Sequence, residues 1–208
     1  MSCLIKICGL KYAASVDAAV EAGADAVGFV FAKSVRQVTV RHATFIAANV
    51  PEHILRVAVM KHPSVEEWEE VQTIFCPDIL QTDAEDFRYL EVRDDITKWP
   101  VIREGKVPGN GDLPGTFVYE GVASGQGATV DWSIAGKLAD RARLILAGGL
   151  GPENVADAIR QVGPFGVDVS SAVESAPGAK DPDLIRAFIE AVRATPNPGS
   201  NQSQGHCE

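Results

Sequence analysis

Four side chains capable of proton transfer or anion binding stand where apolar runs of this sequence stop. Cys8 ends the run in "CLIKICGL", Glu120 closes "TFVYEG", Asp168 interrupts "GVDVSSAVES", and Arg36 follows "GFVFAKSVR". A thiol and two carboxylates can supply the base and the acid of a proton-transfer reaction, and a guanidinium offers forked donors to an anionic substrate group. Each has an ordinary reading too: a small buried thiol, a solvated strand end, a loop cap, a surface charge. The repeated position argues for one shared site.

Two further stretches bear on anion binding. "AGGLGPEN" places Gly148, Gly149 and Gly151 just before Pro152, which is predicted to open a helix. "VSSAVES" brings Ser170 and Ser171, which can donate through hydroxyl and backbone. Backbone N–H groups beside a helix N-terminus, together with hydroxyls from a second loop, are suited to a phosphate.

Elements must hold these residues, and the chain supplies a regular set. Eight apolar, β-branched runs recur: Cys3 to Cys8, Asp25 to Phe31, Leu55 to Met60, Asp78 to Gln81, Pro100 to Arg103, Thr116 to Glu120, Leu144 to Ala147 and Phe165 to Val169. Most are apolar throughout, the pattern of parallel strands covered on both faces. Helical patterns lie between them. Ser64 and Glu67 form a capping box, after which Val65, Trp68, Val71, Ile74 and Phe75 are predicted to share one face. Val155, Ala158, Ile159 and Val162 mark a helix after Pro152, and Asp181 with Pro182 starts a last one. Between the fifth and sixth strands "EGKVPGNGDLPG" has no room for a normal helix, so a loop is predicted in its place. With no Gly-rich dinucleotide fingerprint after the first strand, the alternation predicts an α/β fold, a single (β/α)8 TIM barrel spanning residues 1–194. Active sites of such barrels lie at the C-terminal strand ends, where the four residues above fall, and the last two loops commonly hold phosphate. Residues 195–208, "TPNPGSNQSQGHCE", are predicted to be a disordered tail.

The bulk properties narrow the partners. With 208 residues and 46% hydrophobic content, the chain can bury a substantial core by itself. Nineteen basic against 28 acidic residues leave a net charge of −9, with no basic face for nucleic acid or an anionic membrane. The four cysteines show no metal-ligand or disulfide spacing, which fits a reducing cytoplasm. No export signal or spanning apolar run is read, so a soluble protein acting on a small phosphorylated molecule is expected.

The stretches "KICGL", "GFVF" with "SVR", "SGQGATVDW", "LAGGLGPENV" and "VDVSSAVESAPGAKD" resemble phosphoribosylanthranilate isomerase, the barrel enzyme of tryptophan biosynthesis. The resemblance implies an Amadori rearrangement of N-(5'-phosphoribosyl)anthranilate to the 1-deoxyribulose 5-phosphate, with no metal or organic cofactor. It implies Cys8 as general base, Arg36 as the partner of the anthranilate carboxylate, and Asp168 and Gln81 near the substrate. It also implies a monomer or homodimer. Three positions depart from the family pattern. Glu120, in "VYEG", replaces the aspartate expected as general acid in "LLDS"; "QTDA" replaces "QLHG"; and Ala172 replaces a phosphate-loop glycine. Two alternatives stay open: a non-catalytic or impaired paralogue that binds a phosphosugar, and another phosphate-binding barrel such as an epimerase or indole-glycerol-phosphate synthase. The absence of a lysine-rich set at the strand ends disfavours the synthase, with Lys6 read as pointing into the first strand.

Overall fold

The computed structural model describes residues 2–107, 113–122 and 129–198. Eight parallel strands close a barrel in chain order: β1 (Leu4–Cys8), β2 (Ala26–Val30), β3 (Leu55–Val59), β4 (Ile79–Asp83), β5 (Thr97–Arg103), β6 (Thr116–Glu120), β7 (Arg143–Leu146) and β8 (Gly166–Val169). The barrel closes where β1 pairs with β8, Lys6 opposite Asp168. Helices α1 (Ala13–Ala22), α2 (Val40–Ile46), α3 (Val65–Glu70), α4 (Trp132–Ala139), α5 (Val155–Val162) and α6 (Pro182–Arg193) cover it. The eighth loop carries a short antiparallel hairpin, β9 (Glu174–Ala176) with β10 (Ala179–Lys180). Among the described residues no helix is long and apolar enough to cross a membrane.

Side-chain alternation along the strands divides the interior from the helix-facing surface. Ala26, Val57, Ile79, Trp99, Val101, Val118 and Ile145 pack together in one buried cluster, the barrel interior. A larger cluster, with Ile5, Ile7, Phe29, Phe117 and Phe188, lies between the sheet and the helices. The strands are therefore apolar on both faces, as their sequences predict. Helix α6 is set by the Asp181 carboxylate, which accepts from the Asp183 and Leu184 amides, and it buries Ile185, Phe188, Ile189 and Val192. Each such side chain contributes about 1.5–3 kcal/mol relative to an exposed one.

Several expectations need correction. The Ser64–Glu67 capping box forms, but α3 widens into a π turn over Val71–Phe75. Trp68, Val71 and Phe75 face inward; Ile74, within the π turn, and Val65, at the first position of α3, stay exposed. Phe75 meets Phe29 and Phe31 edge-on, with centroids 5.2 and 5.4 Å apart, contacts that outweigh regular periodicity. Pro152 sits in a turn, and α5 starts three residues later because the Asn154 side chain is bonded backward, accepting from the Gly151 amide and donating to the Gly149 carbonyl. The fourth crossover is a 3-10 segment, Ala84–Arg88, organised by the buried Asp86. No helix occurs among the described residues between β5 and β6; residues 108–112 lie outside them. The ordered chain runs past residue 194: Thr195 is buried and donates to the Ala191 carbonyl, and Asn197 donates to that of Pro164. The rest of the expected tail, 199–208, lies outside the described residues.

Candidate active site

The upper layer of the barrel is polar where the lower layers are apolar. A charged residue at an inward-facing strand position near the C-terminal end points into this layer. Lys6, Asp83, Arg103, Glu120 and Asp168 are such residues, and all except Glu120 are buried or nearly so. Above them opens a cavity of about 250 Å³, lined by Cys8, Arg36, Gln81, Glu120, Gly148, Gly149, Asp168, Ser170 and Ser171, all singled out from the sequence, while Gly151 of the same glycine-rich stretch is not in its lining. Residues from six strand ends and their loops, far apart in sequence, thus share one site.

Cys8 ends β1 with its side chain inward. It is 7% exposed, a buried thiol at the cavity wall. Burial pushes its pKa up, and the Lys6 ammonium pulls the other way. Lys6, read as pointing into the first strand, is fully buried inside the barrel, its Nζ 2.9 Å from Asp168 Oδ2. Burial works against the Lys6 charge, but Asp168 and, after it, Cys8 together outweigh it and raise the pKa to about 12. The other oxygen, Asp168 Oδ1, is buried with no protein partner, and so is Gln81 Oε1. Two unsatisfied acceptors at a cavity wall call for donors from a bound molecule.

Arg36 reaches this wall across the end of β1. Gly9, at φ 77°, makes that possible, because a Cβ there would fall 2.6 Å from Arg36 Cδ. The guanidinium lies in a fork on Glu174, with Nε and Nη2 at 2.7 and 2.9 Å. Glu174 also accepts from Lys180 Nζ at 2.8 Å and the Gly178 amide at 3.1 Å. Lys180 in turn donates to the Ser170 carbonyl and hydroxyl, and that hydroxyl donates to the Cys8 carbonyl. The eighth loop is therefore fastened to the loop after β2 by the Arg36–Glu174 ion pair and to the end of β1 by the Ser170 hydroxyl. Sequence reading missed both: Glu174 is paired with Arg36, 138 positions away, and Lys180 is drawn in through Glu174.

This network has an acid-stability signature. Burial opposes the Glu174 charge, yet the hydrogen bonds from Arg36 and Lys180 outweigh it and hold the pKa at about 2. A folded-state pKa below the unfolded value gives stability that is present above about pH 4.5 and is lost as pH falls toward 2, worth roughly 3 kcal/mol. Denaturant titrations from about pH 5 to about pH 2 are expected to show this loss. Glu174→Gln should start less stable, with two cations stranded, but should lack that part of the decline.

On the far wall Arg103 grips Asp83 with Nε and Nη2 at 2.7 and 3.0 Å, and its Nη1 lies 3.4 Å from Glu120 Oε2. The Asp83 of "QTDA" thus neutralises most of the guanidinium before Glu120 meets it. Ala172, in place of the phosphate-loop glycine, lies in a 3-10 turn, Ser171–Val173, and is not among the residues with positive φ, so its side chain brings no backbone strain. His62, Asp83 and Asp86 have ligand atoms within 4.8 Å of one another. Asp83 is taken by Arg103 and Asp86 by Thr82, His62 and Tyr89, which meets their charge without a metal. Of "SGQGATVDW", residues 124–128 lie outside the described residues; Asp131 caps α4 through the Ser133 and Ile134 amides.

Comparison with known proteins agrees with this arrangement. Residues 5–191 match the family model described as N-(5'phosphoribosyl)anthranilate (PRA) isomerase. A protein of Listeria welshimeri named N-(5'-phosphoribosyl)anthranilate isomerase is 42% identical over 203 residues, covering 91% of this chain and 98% of that one. A crystal structure of phosphoribosyl anthranilate isomerase in complex with reduced 1-(o-carboxyphenylamino)-1-deoxyribulose 5-phosphate superposes with a TM-score of 0.76 at 31% identity, over 91% of this chain and 98% of that one. Monomers generated from the dimeric phosphoribosylanthranilate isomerase of Thermotoga maritima give 0.77 at 33% identity, over 92% and 99%. With the barrel fold and the similarity over nearly the whole chain in accord, the chain belongs to the N-(5'-phosphoribosyl)anthranilate isomerase family.

Proposed function

We infer that this chain converts N-(5'-phosphoribosyl)anthranilate to 1-(o-carboxyphenylamino)-1-deoxyribulose 5-phosphate, an Amadori rearrangement in tryptophan biosynthesis. The observation that carries the reading is that an acid, a base and two anion-binding loops line one cavity. Glu120 protonates the ring oxygen as the C1–O bond breaks, leaving an iminium at C1. Cys8 takes the C2 proton, and the electron pair released neutralises the iminium to give an enolamine. Loss of the enol proton and protonation of C1 complete the ketone, so atoms and charge balance without an oxidant or reductant. Arg36 meets the anthranilate carboxylate from the mouth of the cavity. Gly148 and Gly149, which present bare backbone, and Ser170 and Ser171 hold the phosphate. Asp168 Oδ1 and Gln81 Oε1, the unpartnered acceptors, receive hydroxyl hydrogens of the opened sugar.

The free thiols Cys3, Cys8 and Cys76 fit a reducing cytoplasm. The reading takes the protein as a monomer or homodimer acting on a phosphorylated small molecule, with no nucleic acid or membrane involved. A second reading, a phosphosugar binder that has lost turnover, is favoured by the replacement of the family aspartate by Glu120. Complementation of a tryptophan auxotroph lacking the isomerase separates the two. Growth without tryptophan is the expected result; soluble expression without growth, together with binding of the reduced product analogue, would establish the binder instead.

A further inference from the structure

We propose that Lys6 is a positioning residue for the base: held between Asp168 and Cys8 beneath the cavity, its ammonium is the counter-ion that lets Cys8 exist as a thiolate. The inference rests on the reading of Cys8 as the base. Lys6 and Cys8 are two residues apart on β1, so their side chains share the inward face. Across the strand pairs, Lys6 stands opposite Asp168 of β8 and Cys8 opposite Gly28 of β2. A Cβ built on Gly28 would fall 3.1 Å from both Cys8 Sγ and Lys6 Cε. The two side chains therefore lie side by side over a strand position that lacks a side chain, and any larger residue there would press them apart.

A buried ammonium is costly and needs a reason to remain. Asp168 supplies half of one, but only one of its oxygens faces Lys6, and the other is left toward the cavity. The charged groups that face Cys8 are Lys6 from β1, Asp168 from β8, Lys180 from β10 and Arg36 from the loop after β2. Lys180 and Arg36 are already committed to Glu174 at 2.8 and 2.7 Å. Lys6 exerts the largest pull of these cations on the Cys8 thiol, ahead of Lys180, and it shares the inward face of β1 with it. Its influence opposes the burial that raises the Cys8 pKa, and so brings the base closer to working pH. When the thiolate takes the C2 proton, Sγ becomes neutral and Lys6 keeps its own proton.

The test titrates cysteine labelled with 13C at Cβ by NMR in the full chain, with Cys8 assigned by its loss in Cys8→Ser. Lys6→Met is expected to raise the Cys8 pKa by roughly 1–3 units. Lys6→Met combined with Asp168→Asn leaves no charge stranded in the barrel and supplies a folded comparison; it should raise the pKa too, by less, because an opposing charge goes with the ammonium. Asp168→Asn alone should lower it. An unmoved Cys8 titration in the double variant, or shifts of the same sign in both single variants, would overturn the proposal. The measurement needs no substrate. If wild type lacks isomerase activity while Cys8 shifts as stated, the isomerase reading fails and the coupling stands. If wild type is active, Lys6→Met should lower kcat with KM little changed, the loss easing as pH rises.

Discussion

Cys8→Ala is expected to lower kcat by roughly 10²–10⁴-fold, the range a general base contributes, with little change in KM. The two parameters should separate because Cys8 supplies none of the proposed ground-state anchors: Arg36 serves the carboxylate and the loops at Gly148 and Ser170 serve the phosphate. The fold should persist as well. β1 is held by Ile5 and Ile7, fully buried against the helices, and by its pairings to β2 and β8, none of which involves the thiol. Removing Sγ leaves a gap beside the cavity, where solvent or substrate can enter. Cys8→Ser is expected to be nearly as inactive although it keeps almost the same shape, because a hydroxyl is a far weaker base than a thiolate. Steady-state kinetics with thermal melts of both variants decide the matter. Near-normal kcat in either one would return Cys8 to the role of a packing residue.

The barrel was legible because its parallel strands are covered on both faces, so runs such as "AVGFVF" are apolar throughout and hard to mistake for solvated hairpins. The site was legible to the extent that strand ends can be counted: Cys8, Glu120 and Asp168 each end or nearly end a run. The charges that hold these residues were not. Lys6 and Asp168 are 162 positions apart, and Arg36 and Glu174 are 138 apart; only strand register and the path of the eighth loop bring them together. One signal was present all the same. Lys6 alternates with Leu4 and Cys8, and Arg103 with Trp99 and Val101, so each charge stands at an inward position of an otherwise apolar strand. Burying such a charge requires a partner in the same layer, so Lys6 implies an inward carboxylate and Arg103 another. Helix boundaries were read less well wherever a tertiary contact overrode local preference. The aromatic contacts of Phe75 accompany a π turn after α3, and the Asn154 side chain, bonded backward to loop seven, delays the start of α5 beyond Pro152.

Glu120 is where this chain departs from the family pattern, and its replacement by glutamine is expected to remove most activity, roughly 10²–10⁴-fold in kcat, without unfolding the protein. An amide cannot protonate the ring oxygen, but it still fits a position that is only partly buried and still presents an oxygen to Arg103. The sharper expectation concerns Glu120→Asp. The carboxyl of Glu120 reaches Arg103 Nη1 at 3.4 Å, while that arginine is anchored by Asp83 at 2.7 and 3.0 Å from the end of β4. Asp83 stands in the stretch "QTDA", itself a departure, so the longer acid and the arginine that meets it are parts of one rearranged wall. Shortening the stem by one methylene draws the carboxyl back by roughly 1 Å from both arginine and substrate, a misplacement that can cost on the order of 100-fold. Glu120→Asp should therefore lower kcat, even though it restores the residue found in the family pattern. Asp83→Asn should make the two acids respond differently: with Arg103 no longer neutralised from below, the glutamate enzyme loses rate because its acid is held more firmly in the charged form, and the aspartate variant, farther from Arg103, is affected less. Kinetics of the single and double variants test the coupling. If Glu120→Asp instead exceeds wild type, the wall has not adjusted to glutamate and the chain is a partly disabled isomerase; if Glu120→Gln changes nothing, the acid is elsewhere, and Asp168, with its free oxygen at the cavity, is the next residue to replace.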